Sequence, residues 1–195
     1  MTIISILILI VAVIAHEVAH GLAALWQGDT TAKDAGRLTL NPISHIDPVG
    51  SIFLPFVLYV ISSPFLFGYA KPVPINPHNF RNVRWGEAMV AFAGPLVNII
   101  FVAIFTILLH TVPMGEGFMQ ISAMIILINL VLALFNLMPI PPLDGSKILF
   151  ALIPQKHYRF RESLESRNFI FWFIAMILIW QVFQPLVYWL FKILV

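Results

Sequence analysis

Two histidines and a glutamate stand close together in the stretch VIAHEVAHGLAALW, residues 13–26. In a helix, His16 and His20 lie one turn apart on one face, so their imidazole nitrogens can converge on a single metal ion. Glu17 lies beside them, near enough to take a proton from a water molecule without binding the ion itself. This His-Glu-x-x-His spacing is typical of zinc-dependent hydrolysis of peptide bonds.

The composition puts this stretch in a membrane. Of the 195 residues, 60% are hydrophobic and only 10% are charged, whereas soluble domains are about a quarter charged. We therefore expect one integral membrane domain over residues 1–195, with a core at 1–153 and an interfacial segment and membrane helix at 154–195. The net charge of +2 includes no basic block suited to nucleic acid, and the lack of cysteine excludes thiolate metal sites.

Four apolar runs are long enough to cross a bilayer, which takes about 20 residues. They cover 2–26, 88–112, 118–140 and 168–195. A fifth run, 49–70, is broken by prolines and a glycine, so it can span or be re-entrant. The fold class predicted is an all-α polytopic membrane protein with four to six transmembrane or re-entrant helices. The alternation in GRLTLNP adds a short β element after the first helix.

The basic residues favour the re-entrant path for run 49–70. If the run is re-entrant, ten of the eleven lysines and arginines share one face, whereas a spanning run divides them eight to three. Basic loops face the cytoplasm. The N-terminus is then outside, and the first helix leaves the membrane on the cytoplasmic side near Gln27. At 1.5 Å per residue, His20 lies about 10 Å from that exit and His16 about 16 Å.

A catalytic zinc takes three protein ligands, so a third ligand is needed. The best candidate is Asp144 in NLMPIPPLDG, because it adjoins the end of an apolar helix that reaches the same face as His20. Asp-Gly alone would indicate only a turn. The remaining histidines are interpreted as solvated or interfacial. They are His45, His78, His110 and His157.

Intramembrane amides form a second group of polar candidates. Gly94 and Asn98 in AGPLVN share a helix face, and Asn129 and Asn136 share another. Buried amides often hydrogen-bond one membrane helix to the next, which favours a packing role for Asn98 and Asn129. Asn136 is eight residues from Asp144, and the residues themselves leave packing and a role in the site equally open.

Several motifs together resemble the site-2 protease family of intramembrane zinc metalloproteases. They are HEVAH, AGPLVN and NLMPIPPLDG, and the connectors GRLTLNPISHIDPVG and AKPVPINPHNFRN resemble its compact prokaryotic branch, without PDZ or CBS domains. The resemblance implies one zinc per chain, bound by His16, His20 and Asp144. It also implies that Glu17 is the general base and acid, and that Asn136 steadies the scissile carbonyl or its oxyanion.

The resemblance further implies an activity and a location. The substrates would be membrane-anchored proteins cut in or near their transmembrane segments, as in regulated intramembrane proteolysis. The enzyme would be a multi-pass protein of the cell membrane, in contact with the lipid bilayer and no nucleic acid, with its active site toward the cytoplasm. The sequence leaves homo-oligomer formation open.

A substrate helix must unwind before its carbonyls can be attacked. We expect the strand around Arg37, Leu38, Thr39 and Leu40 to pair with the unwound segment by strand addition. Two alternatives remain. A zinc transporter would use the same ligands but gives Glu17 no clear role, and an inactive interaction module would not need an intact His-Glu-x-x-His.

Overall fold

The structure is a computed structural model that describes residues 3–53, 56–57, 60, 70–113, 115–154, 162, 164 and 167–195. The α-helices of these residues are α1 (Ile3–Gln27), α2 (Thr31–Asp34), α3 (Val83–Thr111), α4 (Glu116–Asn136), α5 (Asp144–Leu152) and α6 (Phe169–Leu194). Short 3₁₀ turns lie at Pro42–His45 and Pro77–Asn79, and a π-helical turn lies at Pro48–Phe53. Four of the helices, α1, α3, α4 and α6, are long and apolar enough to cross a membrane.

The predicted spans match these four helices to within two residues at all but two ends. Helix α3 begins at Val83, five residues before the predicted start, because the Asn82 side chain caps it by accepting the Trp85 N–H. Helix α4 ends at Asn136, four residues before the predicted end, and Pro139 follows closely. Proline cannot continue a helix, so the chain turns there.

Helix α3 runs antiparallel to both α1 and α4. Along α1, His16 contacts Asn98 and His20 contacts Val90, so the two helices progress in opposite directions. Asn98 in turn contacts Asn129 of α4. The C-terminal ends of α1 and α4 and the N-terminal end of α3 therefore lie at one end of the bundle, which we call the site end. Helix α5, which starts at Asp144, packs against α3.

Two apolar clusters hold the helices together. One joins α3, α4 and α6 through Val102, Ile126, Leu130 and Val187. The other, at the site end, joins α1 and α3 to the connector through Ala24, Phe80 and Val90. In a bilayer, such contacts act by close packing, because lipid tails are as apolar as the side chains.

The predicted β element after the first helix is wrong, since none of the described residues forms a strand. A strand needs a hydrogen-bonded neighbour, and Arg37–Asn41 instead lies against α1 and residue 71. The alternation of polar and apolar residues does not correspond to alternating burial. Arg37 is buried, its neighbour Leu38 packs against Gly21, and Leu40 is exposed.

The connector between α1 and α3 begins and ends at the site end. The Arg81 N–H donates to the carbonyl of Gln27 over 3.0 Å, and the Lys71 N–H donates to the carbonyl of His45 over 2.9 Å. Most of the predicted re-entrant run 49–70 lies outside the described residues, at 54–55, 58–59 and 61–69. The described flanks of that run, His45 and Lys71, meet at the same end of the bundle.

Candidate metal centre

His16 and His20 of α1 and Asp144 of α5 meet at the site end, although 124 to 128 positions separate the aspartate from the histidines. The Nε2 atoms of the two imidazoles each lie 3.2 Å from Oδ2 of Asp144. All three residues are buried, and their ligand atoms lie within 4.8 Å of one another. The structure thus brings together the three residues predicted as metal ligands.

Hydrogen bonds on the far side of each ring fix which nitrogen faces the cluster. His20 Nδ1 lies 2.6 Å from the carbonyl oxygen of Val90, which can only accept, so Nδ1 carries the proton. His16 Nδ1 lies 2.6 Å from Oδ1 of Asn98 and donates to it in the same way. Both Nε2 atoms are therefore left with a lone pair that points at Asp144.

A relay of amides sets the orientation of Asn98. The Asn129 side chain donates to the carbonyl of Ile125 over 2.9 Å, which leaves its Oδ1 to accept from Asn98 Nδ2 over 2.8 Å. Because Asn98 Nδ2 points at Asn129, its Oδ1 points at His16. Asn98 and Asn129 therefore join α3 to α4, as their predicted packing role implies, and Asn98 also orients the His16 imidazole.

Three acceptors converge in this cluster. Two imidazole lone pairs and a carboxylate oxygen repel one another at 3.2 Å unless a cation or a shared proton lies among them. The donor set, two imidazole nitrogens and one carboxylate oxygen, suits a divalent cation that accepts nitrogen and oxygen ligands.

The position of Asp144 depends on both ends of α5. At its start, Gly145 lies so close to the backbone of Leu137 that any Cβ there would collide with the Leu137 carbonyl. At its end, Arg84 of α3 donates from Nε to the carbonyl of Ala151 over 2.6 Å and from an Nη atom to that of Ile153 over 3.1 Å. A cation at a helix C-terminus satisfies carbonyls that lack helical partners. Arg84 thus fastens α5 to α3.

Gly94 of α3 allows the two imidazoles to approach the helix backbone. A Cβ at this position would lie 2.6 Å from His16 Nε2 and closer still to the His20 ring. Both rings are held from behind by Asn98 and Val90, so neither can move aside easily. Only glycine fits here, and the requirement is steric.

Glu17 lies beside the cluster on the adjoining face of α1 and is half-buried. Its Oε2 accepts the backbone N–H of Val73 over 2.9 Å. Glu17 is absent from the group of converging ligand atoms, which contains His16, His20 and Asp144. The predicted separation of the glutamate from the metal ligands fits this geometry.

The other predicted site residues make internal contacts. Asn136 is half-buried at the end of α4, and its side chain donates to the carbonyl of Leu132 over 2.9 Å. Arg37 donates to the carbonyl of Lys71 over 2.8 Å, and the carbonyl of Thr39 accepts from the His45 ring over 2.8 Å. The Leu40 side chain is exposed.

The remaining histidines divide into three cases. His78 and His110 are exposed, as predicted. His45 is buried, so its interpretation as a solvated residue is wrong: its ring is enclosed where it binds the carbonyl of Thr39. His157 lies outside the described residues.

Sequence reasoning missed the contacts made by backbone atoms and by Gly94. The Val90 carbonyl and the Val73 N–H leave no signal in residue type. Gly94 and Asn98 did leave a signal in the sequence. A glycine and an amide one turn apart in an apolar helix allow another helix to approach closely and offer it a hydrogen-bonding group.

Comparison with known proteins identifies the family. The model of peptidase family M50 matches residues 113–180. A Bacillus subtilis protein named "Putative zinc metalloprotease YwhC" is 39% identical over 178 residues, which cover 87% of this chain and 78% of that protein. The chain belongs to peptidase family M50. This is the site-2 protease family, and membership in it supports a metalloprotease.

Two further relatives carry the same description as YwhC. The protein sll0528 of Synechocystis is 32% identical over 78% of this chain and 32% of its own length. Rip2 of Mycolicibacterium smegmatis is 27% identical over 90% of this chain and 68% of its own length. No solved structure matches the chain.

Proposed function

We propose that this M50 peptidase hydrolyses peptide bonds in or near the transmembrane segments of membrane-anchored proteins, as in regulated intramembrane proteolysis. One observation carries the proposal: His16, His20 and Asp144 present three acceptors to one point, with Glu17 on the adjoining helix face. These groups lie in a bundle with four helices able to cross a bilayer, so a bond cleaved there lies in or beside the membrane. The catalytic unit comprises residues 1–153.

The cation proposed for the cluster is one Zn²⁺ per chain. Two neutral imidazoles and a carboxylate are a common catalytic zinc set, which keeps one position open. Ligand atoms about 2.1 Å from a tetrahedral zinc lie about 3.4 Å apart, near the 3.2 Å between each Nε2 and Oδ2. Bound zinc would act as a Lewis acid that polarises a carbonyl and lowers the pKa of water.

Glu17 moves the protons of the reaction. As the general base it takes a proton from the attacking water, and as the general acid it passes that proton to the leaving amine. The nitrogen of the cleaved bond then departs as a neutral amine. The new carboxylic acid keeps the oxygen and the second proton of the water, and it releases that proton to solvent as it ionises. A carboxylate that binds no metal is free for both transfers.

Asn136 and the segment Arg37–Leu40 are the proposed substrate contacts. The Asn136 amide nitrogen has two hydrogens, and its bond to Leu132 uses one. The second can donate to the scissile carbonyl or its oxyanion. Leu40 offers an exposed apolar side chain to an unwound substrate.

A transport path receives less support than a protease site. The cavity at the opposite end of the bundle, about 310 Å³ in volume, is lined by Leu7, Ile8, Val11, Ala12, Phe101, Phe105, Ile125 and Asn129. Asn129 is the polar residue of this set, and its amide already binds Asn98 and the Ile125 carbonyl. An ion that crossed here would lose its hydration shell without compensation.

For orientation, we propose that the site end faces the cytoplasm of a multi-pass cell-membrane protein whose N-terminus is outside. Because the chain has no cysteine, each introduced thiol reports alone. Lys33, His78 and Gly115 are exposed positions suited to this test. Thiols at Lys33 and His78 should react with an impermeant reagent only from the cytoplasmic side, and a thiol at Gly115 only from outside. Labelling of Lys33 and His78 from opposite sides would contradict the topology.

Glu17→Gln tests the proposed chemistry. The variant keeps the size and polarity of the side chain but removes the base, so we expect it to retain about one zinc and to lose at least about a hundredfold in cleavage rate. The assay uses a tagged single-span peptide in detergent micelles. The matched control is Glu116→Gln, the same change at an exposed position in the first turn of α4. Loss of zinc together with activity would show that Glu17 is a ligand instead.

A further inference from the structure

The segment that binds Glu17, residues 71–76, has an unusual distribution of hydrogen-bond donors. Its sequence is KPVPIN, and Pro72 and Pro74 have no backbone N–H. Val73 is the donor between these two prolines. Each residue that precedes a proline avoids the helical conformation, so Lys71 and Val73 are both held extended. The sequence thus makes a stiff extended segment with a single amide at its centre.

Both ends of the 71–76 segment are anchored to buried polar groups. At Lys71, the backbone N–H donates to the carbonyl of His45, and the backbone carbonyl accepts from the guanidinium of Arg37. At Asn76, the backbone N–H donates to Oδ2 of Asp29 over 2.8 Å. His45, Arg37 and Asp29 are all buried. The position of Val73 is therefore set from both sides.

Asp29 accepts several hydrogen bonds in addition to the one from the segment. Its carboxylate accepts the Thr31 hydroxyl and N–H, the Asn76 N–H and the Asn79 side-chain amide. Burial alone would raise the pKa of Asp29, but these hydrogen bonds outweigh burial and lower it. Asp29 follows α1 by two residues, so the segment is fixed to the end of the helix that carries the metal ligands.

Val73 contacts α1 at two points one turn apart. Its N–H donates to Oε2 of Glu17. Its side chain is buried, and a Cβ on Gly21 would lie 3.0 Å from Val73 Cγ1. Glu17 and Gly21 share a face of α1 because they are four residues apart. The amide of Val73 is thereby held against the glutamate.

We propose that the backbone amide of Val73 is a positioning group for Glu17. By holding Oε2, it fixes the side-chain torsions of the glutamate and turns Oε1 toward the reacting molecules. A free glutamate samples many rotamers, whereas a base must keep its geometry to within a fraction of an ångström. This inference rests on the proposed function of Glu17 as the base.

Val73→Pro removes the amide hydrogen, keeps the extended backbone and places the ring Cδ where the hydrogen lay, while Val73→Ala keeps the hydrogen and removes both γ-methyl groups. We expect the kcat of Val73→Pro to fall at least about tenfold below that of Val73→Ala, with KM within about threefold and zinc content equal. The assay uses the tagged single-span peptide in micelles. Equal kcat values at equal zinc content would overturn the inference and leave the proposed function intact.

If Val73→Pro fails to fold, a backbone ester at Val73 provides a second test. The ester replaces the N–H with oxygen and leaves the valine side chain, and we expect the same loss of kcat. A kcat like that of the unmodified chain would overturn the inference. If the unmodified chain cleaves no member of a panel of single-span peptides, the proposed function fails, and the role of the amide fails with it.

Hydrogen exchange tests the contact without any cleavage assay. Pro72 and Pro74 have no amide hydrogen, so a peptide that covers residues 71–76 contains few exchanging sites, and Val73 can be resolved. Glu17→Ala removes the acceptor, and we expect exchange at Val73 to accelerate at least about tenfold. Unchanged exchange at Val73 would overturn the inference.

Discussion

Helices α3 and α6 are alike in sequence character but differ in what they contact. Each is long and apolar enough to cross a membrane, and each has one internal proline, Pro95 or Pro185. Helix α3 contacts α1, α4 and α5 and orients both histidines. Within the part of α6 that the structure describes, Val187 is the buried residue. Hydropathy therefore identifies both helices as spans but does not reveal which one serves the site.

Side-chain size distinguishes the two helices. The packed face of α3 has small residues and one amide, namely Gly86, Ala88, Ala91, Gly94 and Asn98. Helix α6 is rich in phenylalanine, tryptophan and long aliphatic residues, many of them exposed. Small residues let backbones approach, and an amide then reaches a buried partner. A small-residue face with an amide marks the helix that serves the site.

Gly94→Ala should have the largest effect, because the new methyl group would occupy the space of the imidazoles. We expect zinc content to fall below about a tenth of a zinc per chain, since a zinc site needs its ligands correctly placed. Elemental analysis measures this. Gly117→Ala in α4, where a Cβ meets nothing within 4 Å, is the matched control and should keep its zinc. Normal zinc content in Gly94→Ala would contradict the steric argument.

Asn98→Leu should have the next largest effect. It removes the acceptor for His16 Nδ1 but keeps the approximate volume, so the imidazole loses its fixed tautomer and orientation. Loss of such a supporting hydrogen bond lowers zinc affinity about 10- to 100-fold. Competition with a chelator measures the affinity. An affinity within twofold of the unmodified chain would mean that Asn98 only packs the helices.

Arg84→Ala should act more weakly, because it reaches Asp144 through the length of α5. The change removes both donors to the carbonyls of Ala151 and Ile153 and loosens the helix at its C-terminus. We expect zinc affinity to fall about threefold to tenfold, below the effect at Asn98, which contacts a ligand directly. Arg84→Lys should recover part of the loss. No difference between the alanine and lysine variants would count against a charge-dependent contact.

Val187→Ala in α6 should leave the site unchanged. Its side chain packs against Val102, Ile126 and Leu130, so we expect a loss of about 1 kcal/mol in the free energy of unfolding. Zinc affinity should stay within about twofold. Thermal denaturation in detergent and chelator competition measure the two effects separately. A large loss of zinc affinity would remove the distinction drawn between α3 and α6.

The residues of the converging cluster could be predicted from the sequence because their signals are local or topological. His16, Glu17 and His20 follow from the helical period alone. Asp144 was predicted because the basic residues favour one topology, and in that topology the helix before Asp144 ends at the same membrane face as His20. The four spans could be predicted from hydropathy. The predicted ends differ most from the observed ends where Asn82 caps α3 and where Pro139 follows α4.

The contacts that support the site could not be predicted, because the two partners of each contact lie far apart in the chain. The distance from His16 to Asn98 is 82 positions, and from Glu17 to Val73 it is 56. In the Val73 contact the donor is a backbone atom, so the type of that residue gives no signal. The predicted strand at GRLTLNP failed because alternation in residue type does not by itself supply a hydrogen-bonded neighbouring strand. The segment is not alternately buried, since Arg37 is buried, Leu38 is half-buried and Leu40 is exposed.

Zinc content in the unmodified chain and in Asp144→Ala tests the central claim most directly. Both proteins are purified without added metal and measured by elemental analysis, with chain concentration taken from amino-acid analysis. We expect about one zinc per unmodified chain and little zinc in Asp144→Ala, because two imidazoles alone make an incomplete site. Equal zinc in the two proteins would remove Asp144 from the site, and no zinc in the unmodified chain would contradict the metal centre itself.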